Sequence, residues 1–193
     1  MASQTDIVNM ALVPIGDVRV TNIQTDNTEV ARKANAIWTL VLEYALCQHT
    51  WNFALTMADL AQLTTTPVDK WTYAYQLPTD FVRMSKVIDL ANDKWQIQGS
   101  SLLTDEGEIT IEYVKKITDT TKFSPEFSYY LSKLLGAELA WSLTNNKGLR
   151  DSLRDEAIGL LNSGKGIDAQ SGGKQITVKQ SQWLDSRSVG VND

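Results

Sequence analysis

Residues 26–53 read DNTEVARKANAIWTLVLEYALCQHTWNF, and the reading of this stretch decides the fold. Val30, Ala34, Ile37, Trp38, Val41, Leu42, Ala45 and Leu46 recur at the spacing of one buried helical stripe. Glu29, Arg32, Lys33 and Glu43 place charge off that stripe. Asp26 or Asn27 supplies an N-cap, and Glu29, three residues after Asp26, fits reciprocal capping. The pattern predicts a helix over 26–49, a rod of roughly 34 Å at about 1.5 Å per residue. After His49 and Thr50, the run Trp51-Asn52-Phe53-Ala54 changes to period 2. The rest of the chain is expected to pack against this rod.

On its N-terminal side, Thr5-Asp6 opens a shorter helix over about 5–15, with Ile7, Val8, Ala11, Leu12 and Ile15 inward. Pro14 removes a backbone donor, so the helix ends or kinks near Val13, and Gly16 closes the turn. Residues 17–25 form a connector whose Val18, Val20 and Ile23 tuck onto the core.

On the C-terminal side, residues 51–117 read as a strand-rich insertion. Trp71 to Leu77 alternates and stops at Pro78. Phe81 to Asp89 reads as a strand or a short helix. Trp95 and Ile97 suggest one arm of a hairpin, Ile109, Ile111 and Tyr113 the other, with Asp105-Glu106-Gly107 as the turn. Ser124-Pro125-Glu126 then starts a helix over about 124–144. Its stripe is Phe127, Leu131, Leu134, Leu135 and Leu139, extended by Trp141. Asn145 to Gly148 breaks it, and a helix over 149–163 carries Leu153, Ala157, Leu160 and Leu161 inward, ending by Gly164. So short a connection makes the two helices antiparallel neighbours. The expected class is mainly α with a β-rich insertion: an α+β domain over 1–164 with an antiparallel helical bundle. Val30, Ile37, Trp38, Val41, Leu134, Leu135, Leu153 and Leu160 are its expected shared core.

Past Gly164 the composition turns to Gly, Ser, Gln and Asp, with isolated Ile176, Val178, Trp183 and Leu184. Such a segment buries too little apolar surface to fold alone. Residues 165–193 therefore read as an extended C-terminal arm. Those four residues are its candidate partner-binding side chains, with Trp183 as anchor.

A hydrophobic share of 42% and a charged share of 21% are ordinary for a globular protein. Net charge −5 and pI near 4.9 argue against gripping nucleic-acid phosphates, although an acidic lining lets DNA pass without sticking. A single cysteine, Cys47, excludes an internal disulfide and is expected to be buried as a small hydrophobe. No secretory signal or membrane span is expected.

Candidate chemistry is sparse. Gly159, Gly164 and Lys165 mimic a phosphate loop, but Gly166 stands where Ser or Thr would hold magnesium, and the segment ends a helix. With one histidine and one cysteine, no ordinary zinc site assembles within the chain. His49 is expected to bond the last carbonyls of its helix. Asp105, Glu106 and Glu108 read as a solvated hairpin tip, and Asp80 as a turn or cap residue. Trp38, Trp51, Trp71, Trp95 and Trp141 sit at core-consistent positions. No catalytic, cofactor or metal residue is assigned.

The residues Asn9, Leu12, Ile15-Gly16 and Val20, then Asp26, Ala31-Arg32 and Trp51-Asn52-Phe53, then Leu77-Pro78-Thr79-Asp80-Phe81-Val82-Arg83, carry a resemblance. Over most of Thr5 to Leu161, the chain resembles the tail tubular protein A type of head-to-tail adaptor of short-tailed bacteriophages. The order of elements agrees: two helices, a strand-rich insertion, two helices and a tail. The resemblance implies a structural virion protein, assembled in the host cytoplasm. It would form a ring, dodecameric in the usual case, between portal protein and tail nozzle protein. DNA would pass through the channel without specific binding, with no cofactor, catalysis or membrane partner. A lytic or polysaccharide-degrading tail enzyme using a carboxylate pair is the alternative.

Overall fold

The computed structural model describes residues 2–16, 19–67 and 70–171. The four arm residues Ile176, Val178, Trp183 and Leu184, and Val18 of the connector, lie outside them. Among the described residues, four α-helices and two small antiparallel sheets make a mixed α+β fold.

Helix α1 (Gln4–Leu12) begins one residue earlier than Thr5-Asp6 suggested. Ser3 is its cap, and Asp6 returns the bond to Ser3 in a complete capping box. A 3₁₀ turn over Val13–Ile15 carries Pro14 and ends on Gly16 at φ +75°, a left-handed turn residue that glycine adopts without strain. The connector is then pinned to α1: Asn9 accepts from the Val20 amide at 2.8 Å and donates to the Val20 carbonyl at 2.9 Å. Val20 and Ile23 are buried, as expected.

Helix α2 (Glu29–Cys47) is capped by Thr28 rather than Asp26 or Asn27. Asp26 instead accepts from the Thr28 and Thr21 amides, folding the turn that delivers the cap. Helix α3 (Pro125–Thr144) starts as read, with Ser124 capping and Pro125 in the first turn, and stops at Asn145 in the left-handed region. Helix α4 (Lys147–Ser171) is longer than the expected 149–163 and continues through Gly164. The continuation has tertiary partners: Gly164 is buried where α4 packs on the Trp51 ring, and Asp168, one turn on, is bonded to His49 and Asn52. Residues 165–171 are thus helical rather than part of an extended arm.

The pairs Lys133–Glu156 and Glu138–Arg154 step in opposite directions along α3 and α4, so these two helices run antiparallel. Helix α1 crosses α3 at Gly136, where a Cβ would lie 2.9 Å from the Ala11 carbonyl oxygen. The core of this layer includes Ala31, Ala34, Trp38, Val41, Leu42, Leu46, Trp51, Phe127, Leu131 and Leu135. Of the residues expected there, Val30, Ile37 and Leu160 are only partly buried against it, while Leu153 joins Ala137 and Ala140 in a separate cluster. Trp141 is exposed, with the Arg150 guanidinium 5.5 Å from its ring centre.

Residues 55–115 hold six strands: β1 (Leu55–Asp59), β2 (Tyr73–Gln76), β3 (Phe81–Val87), β4 (Trp95–Gln98), β5 (Ser101–Thr104) and β6 (Thr110–Lys115). One sheet has the order β1-β6-β3, the other β2-β5-β4. The expected hairpin between residues 95–97 and 109–113 does not exist. Trp95 pairs with Thr104 and Gln98 with Ser101, around Gly99 at φ +61°. The chain then crosses at residues 105–109 into the other sheet, where β6 pairs with both β1 and β3. Gly99-Ser100 is the hairpin turn, and Asp105-Glu106-Gly107 is the crossover. Tyr75, Leu102, Val87, Ile111 and Tyr113 form a core drawn from both sheets, whereas Val114 faces the helical core.

Candidate functional site

Alternation along α2 explains where the open surface lies. Its core stripe runs through Ala34, Trp38, Leu42 and Ala45. A second stripe, Ile37, Leu40, Val41 and Tyr44, follows an i, i+3, i+4, i+7 spacing one step round the helix. Helix α4 repeats the device with Ala157, Ile158 and Leu161. Between the two stripes lies a groove of about 730 Å³, floored by Tyr130 and Leu134 of α3. Leu40 (72%), Tyr44 (56%) and Ile158 (53%) are exposed there on one groove, an apolar patch rather than scattered single side chains. The Glu138–Arg154 pair at 2.8 Å closes one end, and Gln48 stands at the other. Burial pushes the Tyr130 hydroxyl's pKa well above its ordinary value.

The sequence reading missed Leu40, Tyr44 and Ile158 as a surface. The signal was present: α2 carries a wider apolar arc than one stripe needs to meet a core.

A second cluster fastens the end of α4. Asp168 lies 3.1 Å from Nε2 of His49, and its carboxylate accepts from the Asn52 backbone amide at 3.1 Å. The Asn52 side-chain amide donates to the Asp168 carbonyl. Edge-on contact with Trp51 completes the setting of His49. His49 therefore bonds α4, not the final carbonyls of its own helix. Burial pulls the His49 pKa down, and the Asp168 carboxylate only partly opposes this. The other partners of this dyad are groups of Asn52, so its bonds join chain to chain.

The remaining candidates are dispersed. Asp80 accepts from the Tyr113 hydroxyl at 2.9 Å, and burial with this bond pushes the tyrosine pKa up to about 12. Asp105 accepts from the Thr72 amide and hydroxyl, and the Glu106 carbonyl from Tyr75, so the acidic loop anchors a crossover. Glu138 is paired with Arg154 in the groove wall. Cys47 is exposed rather than buried. Gly159 to Gly166 lies inside α4, with no loop to cradle a phosphate. Among the described residues, no group of three His, Cys, Asp or Glu side chains is gathered to hold a metal ion. No described helix is long and apolar enough to cross a membrane.

No protein-family model matches the chain, and no curated protein matches it significantly.

Proposed function

We propose that the chain is a ring-forming head-to-tail adaptor of the tail tubular protein A type, a virion component without enzymatic activity. In this reading it joins portal protein to tail nozzle protein around the DNA channel. Its helices form an antiparallel bundle and pack flank to flank in a homo-oligomeric ring, dodecameric by the resemblance. The supporting observation is the apolar flank formed by Leu40, Tyr44 and Ile158 along α2 and α4. A ring needs such a lateral surface on every copy, and its contacts are heterologous, with one flank meeting a different face of the next copy. Engagement of Asp80 with Tyr113 and of Glu138 with Arg154 favours a structural role over hydrolysis by a carboxylate pair.

Light scattering on the purified full chain, alone and mixed with a short-tailed-phage portal protein, tests this. The expected result is a defined ring mass that depends on the flank. Leu40→Glu should lower that mass without loss of helicity. A monomer in both conditions, or saturable hydrolysis of peptidoglycan or capsule lost on Glu138→Gln, would overturn the reading.

A further inference from the structure

Each of the two sheets has two outer edges, and these are not equally protected. We infer that the open edge of β4, Trp95–Gln98, pairs antiparallel with the same strand of a second copy of this chain.

A free strand edge presents unpaired N–H and C=O groups, and folded proteins blunt it with charge, bulges or a covering segment. Residues 61–63 cover β2: the Leu63 amide donates to the Ala74 carbonyl at 2.7 Å, and the Gln76 amide to the Ala61 carbonyl at 3.0 Å. Along β3 the register slips twice, between Phe81 and Arg83 and between Met84 and Lys86, and Arg83 reaches the Cys47 carbonyl of α2. Strand β1 leaves the helical core at Leu55 and ends in charge at Asp59. Strand β4 has none of these devices. Its register against β5 is regular, Trp95-Gln96-Ile97-Gln98 holds no charge or proline, and no described strand pairs with its outer side.

Which groups face outward follows from the turn. Gln98 and Ser101 close the two-residue loop Gly99-Ser100, so they are a hydrogen-bonded pair. Alternation then turns the backbone groups of Gln96 towards β5, and those of Trp95 and Ile97 outward. The Lys94 carbonyl, in the same phase as Gln96, accepts from the Thr104 hydroxyl of β5, as this phase requires.

The strand is its own complement. A two-fold axis through Gln96 sets Trp95 opposite Ile97 of the second copy, and Ile97 opposite its Trp95. Both are then hydrogen-bonded pairs, with about four backbone bonds in all. They are also aromatic–β-branched pairs, which stabilise a sheet. Gln96 meets Gln96, and Lys94 meets the neutral Gln98, so no like charges stand opposite each other. The contact is isologous and closes after two copies, with one sheet continuous through both. This inference goes beyond the adaptor reading and does not rest on it. A heterologous ring contact joins different faces and cannot set position 96 against itself.

The test is a disulfide across the two-fold axis. Antiparallel partners outside the hydrogen-bonded pairs have Cα atoms about 4.5 Å apart, within the roughly 4.4–6.8 Å that a disulfide spans. Cys47→Ser first removes the exposed native thiol. In that background, Gln96→Cys in the full chain is oxidised mildly and read by denaturing electrophoresis. Gln98→Cys, also exposed and on the same face but offset from itself, is the control. Circular dichroism checks that each variant is folded. A covalent dimer should form at position 96 about tenfold or more faster than at position 98, where only collision supplies the partner thiol. Equal rates at the two positions, or no dimer at 96, would overturn the inference; the second is what a foreign strand on this edge would give. Amide exchange checks the unmodified protein from low micromolar to millimolar concentration. The Trp95 and Ile97 amides should slow as concentration rises, while that of Gln96, already bonded within the sheet, stays unchanged. Exchange at Trp95 and Ile97 that ignores concentration would overturn the pairing as well. Ring mass is read separately by scattering, so a ring without the crosslink at 96 sinks this inference and leaves the adaptor reading standing.

Discussion

In the helical layer, Trp51, Phe53, Phe123, Phe127 and Tyr130 form one chain of ring contacts, and residues from α1, α2 and α3 close round it. In the sheets, the buried group is smaller, and polar bonds do much of the joining: Tyr113 to Asp80, Tyr75 to the Glu106 carbonyl, Thr72 to Asp105. Each sheet has three strands, near the lower limit of independent stability. The β1-β6-β3 sheet gains from the helices, because Val114 and the adjoining Ala54 and Ile117 belong to the helical core. The β2-β5-β4 sheet contributes no residue to that core and rests on the first sheet. The molecule thus has a hierarchy, in which the outer sheet can open while the helices hold.

The strongest way to test that hierarchy is at its centre. Trp51 is fully buried, donates its indole N–H to the Ala45 carbonyl, and touches His49, Phe53, Phe127 and Tyr130. Trp51→Ala should cost about 3–5 kcal/mol and unfold both regions together in a denaturant titration. Sheet structure that survives after the helices melt would break the comparison.

A mutation in the outer sheet should act more locally. Leu102→Ala removes a fully buried side chain from the shared sheet core, at about 2–4 kcal/mol. Amide exchange should then accelerate in β2, β4 and β5 while α3 keeps its protection. Equal acceleration in α3 would mean one cooperative unit instead of two levels.

The smallest expected effect sharpens the edge of the helical layer. The folded pKa of His49 lies below its usual 6.5, so as pH falls through that value the unfolded chain takes up a proton that the folded one resists. This contribution is complete above pH 6.5 and is lost as pH drops towards the folded pKa. His49→Gln should flatten that part of the stability–pH curve, leaving the carboxylate-driven loss at lower pH. A curve unchanged by the substitution would show that the histidine is not coupled to folding.

How far the sequence could be read follows the same division. Helices α1, α2 and α3 were legible because their signals are local. Ser124-Pro125-Glu126 and the stripe from Phe127 to Leu139 lie within one element and repeat at a period that few other conformations share. The groove was half legible, since the second stripe on α2 is visible but its lack of a partner is not. Strand pairing was misread at 95–113 because two turn signals competed, Gly99-Ser100 and Asp105-Glu106-Gly107, and local chemistry ranks them equally.

By itself, then, the sequence determined the α+β class, the start of each helix to within a few residues, and the compositional break towards the tail. Only the tertiary structure decided that the chain crosses after β5 into the other sheet, that α4 runs on through Gly164, and that His49 meets Asp168. Each of these joins residues far apart in the chain, β1 with β6 or His49 with α4. Their free energy comes from surfaces that exist only once both partners are folded, such as the Trp51 ring on which α4 packs at Gly164.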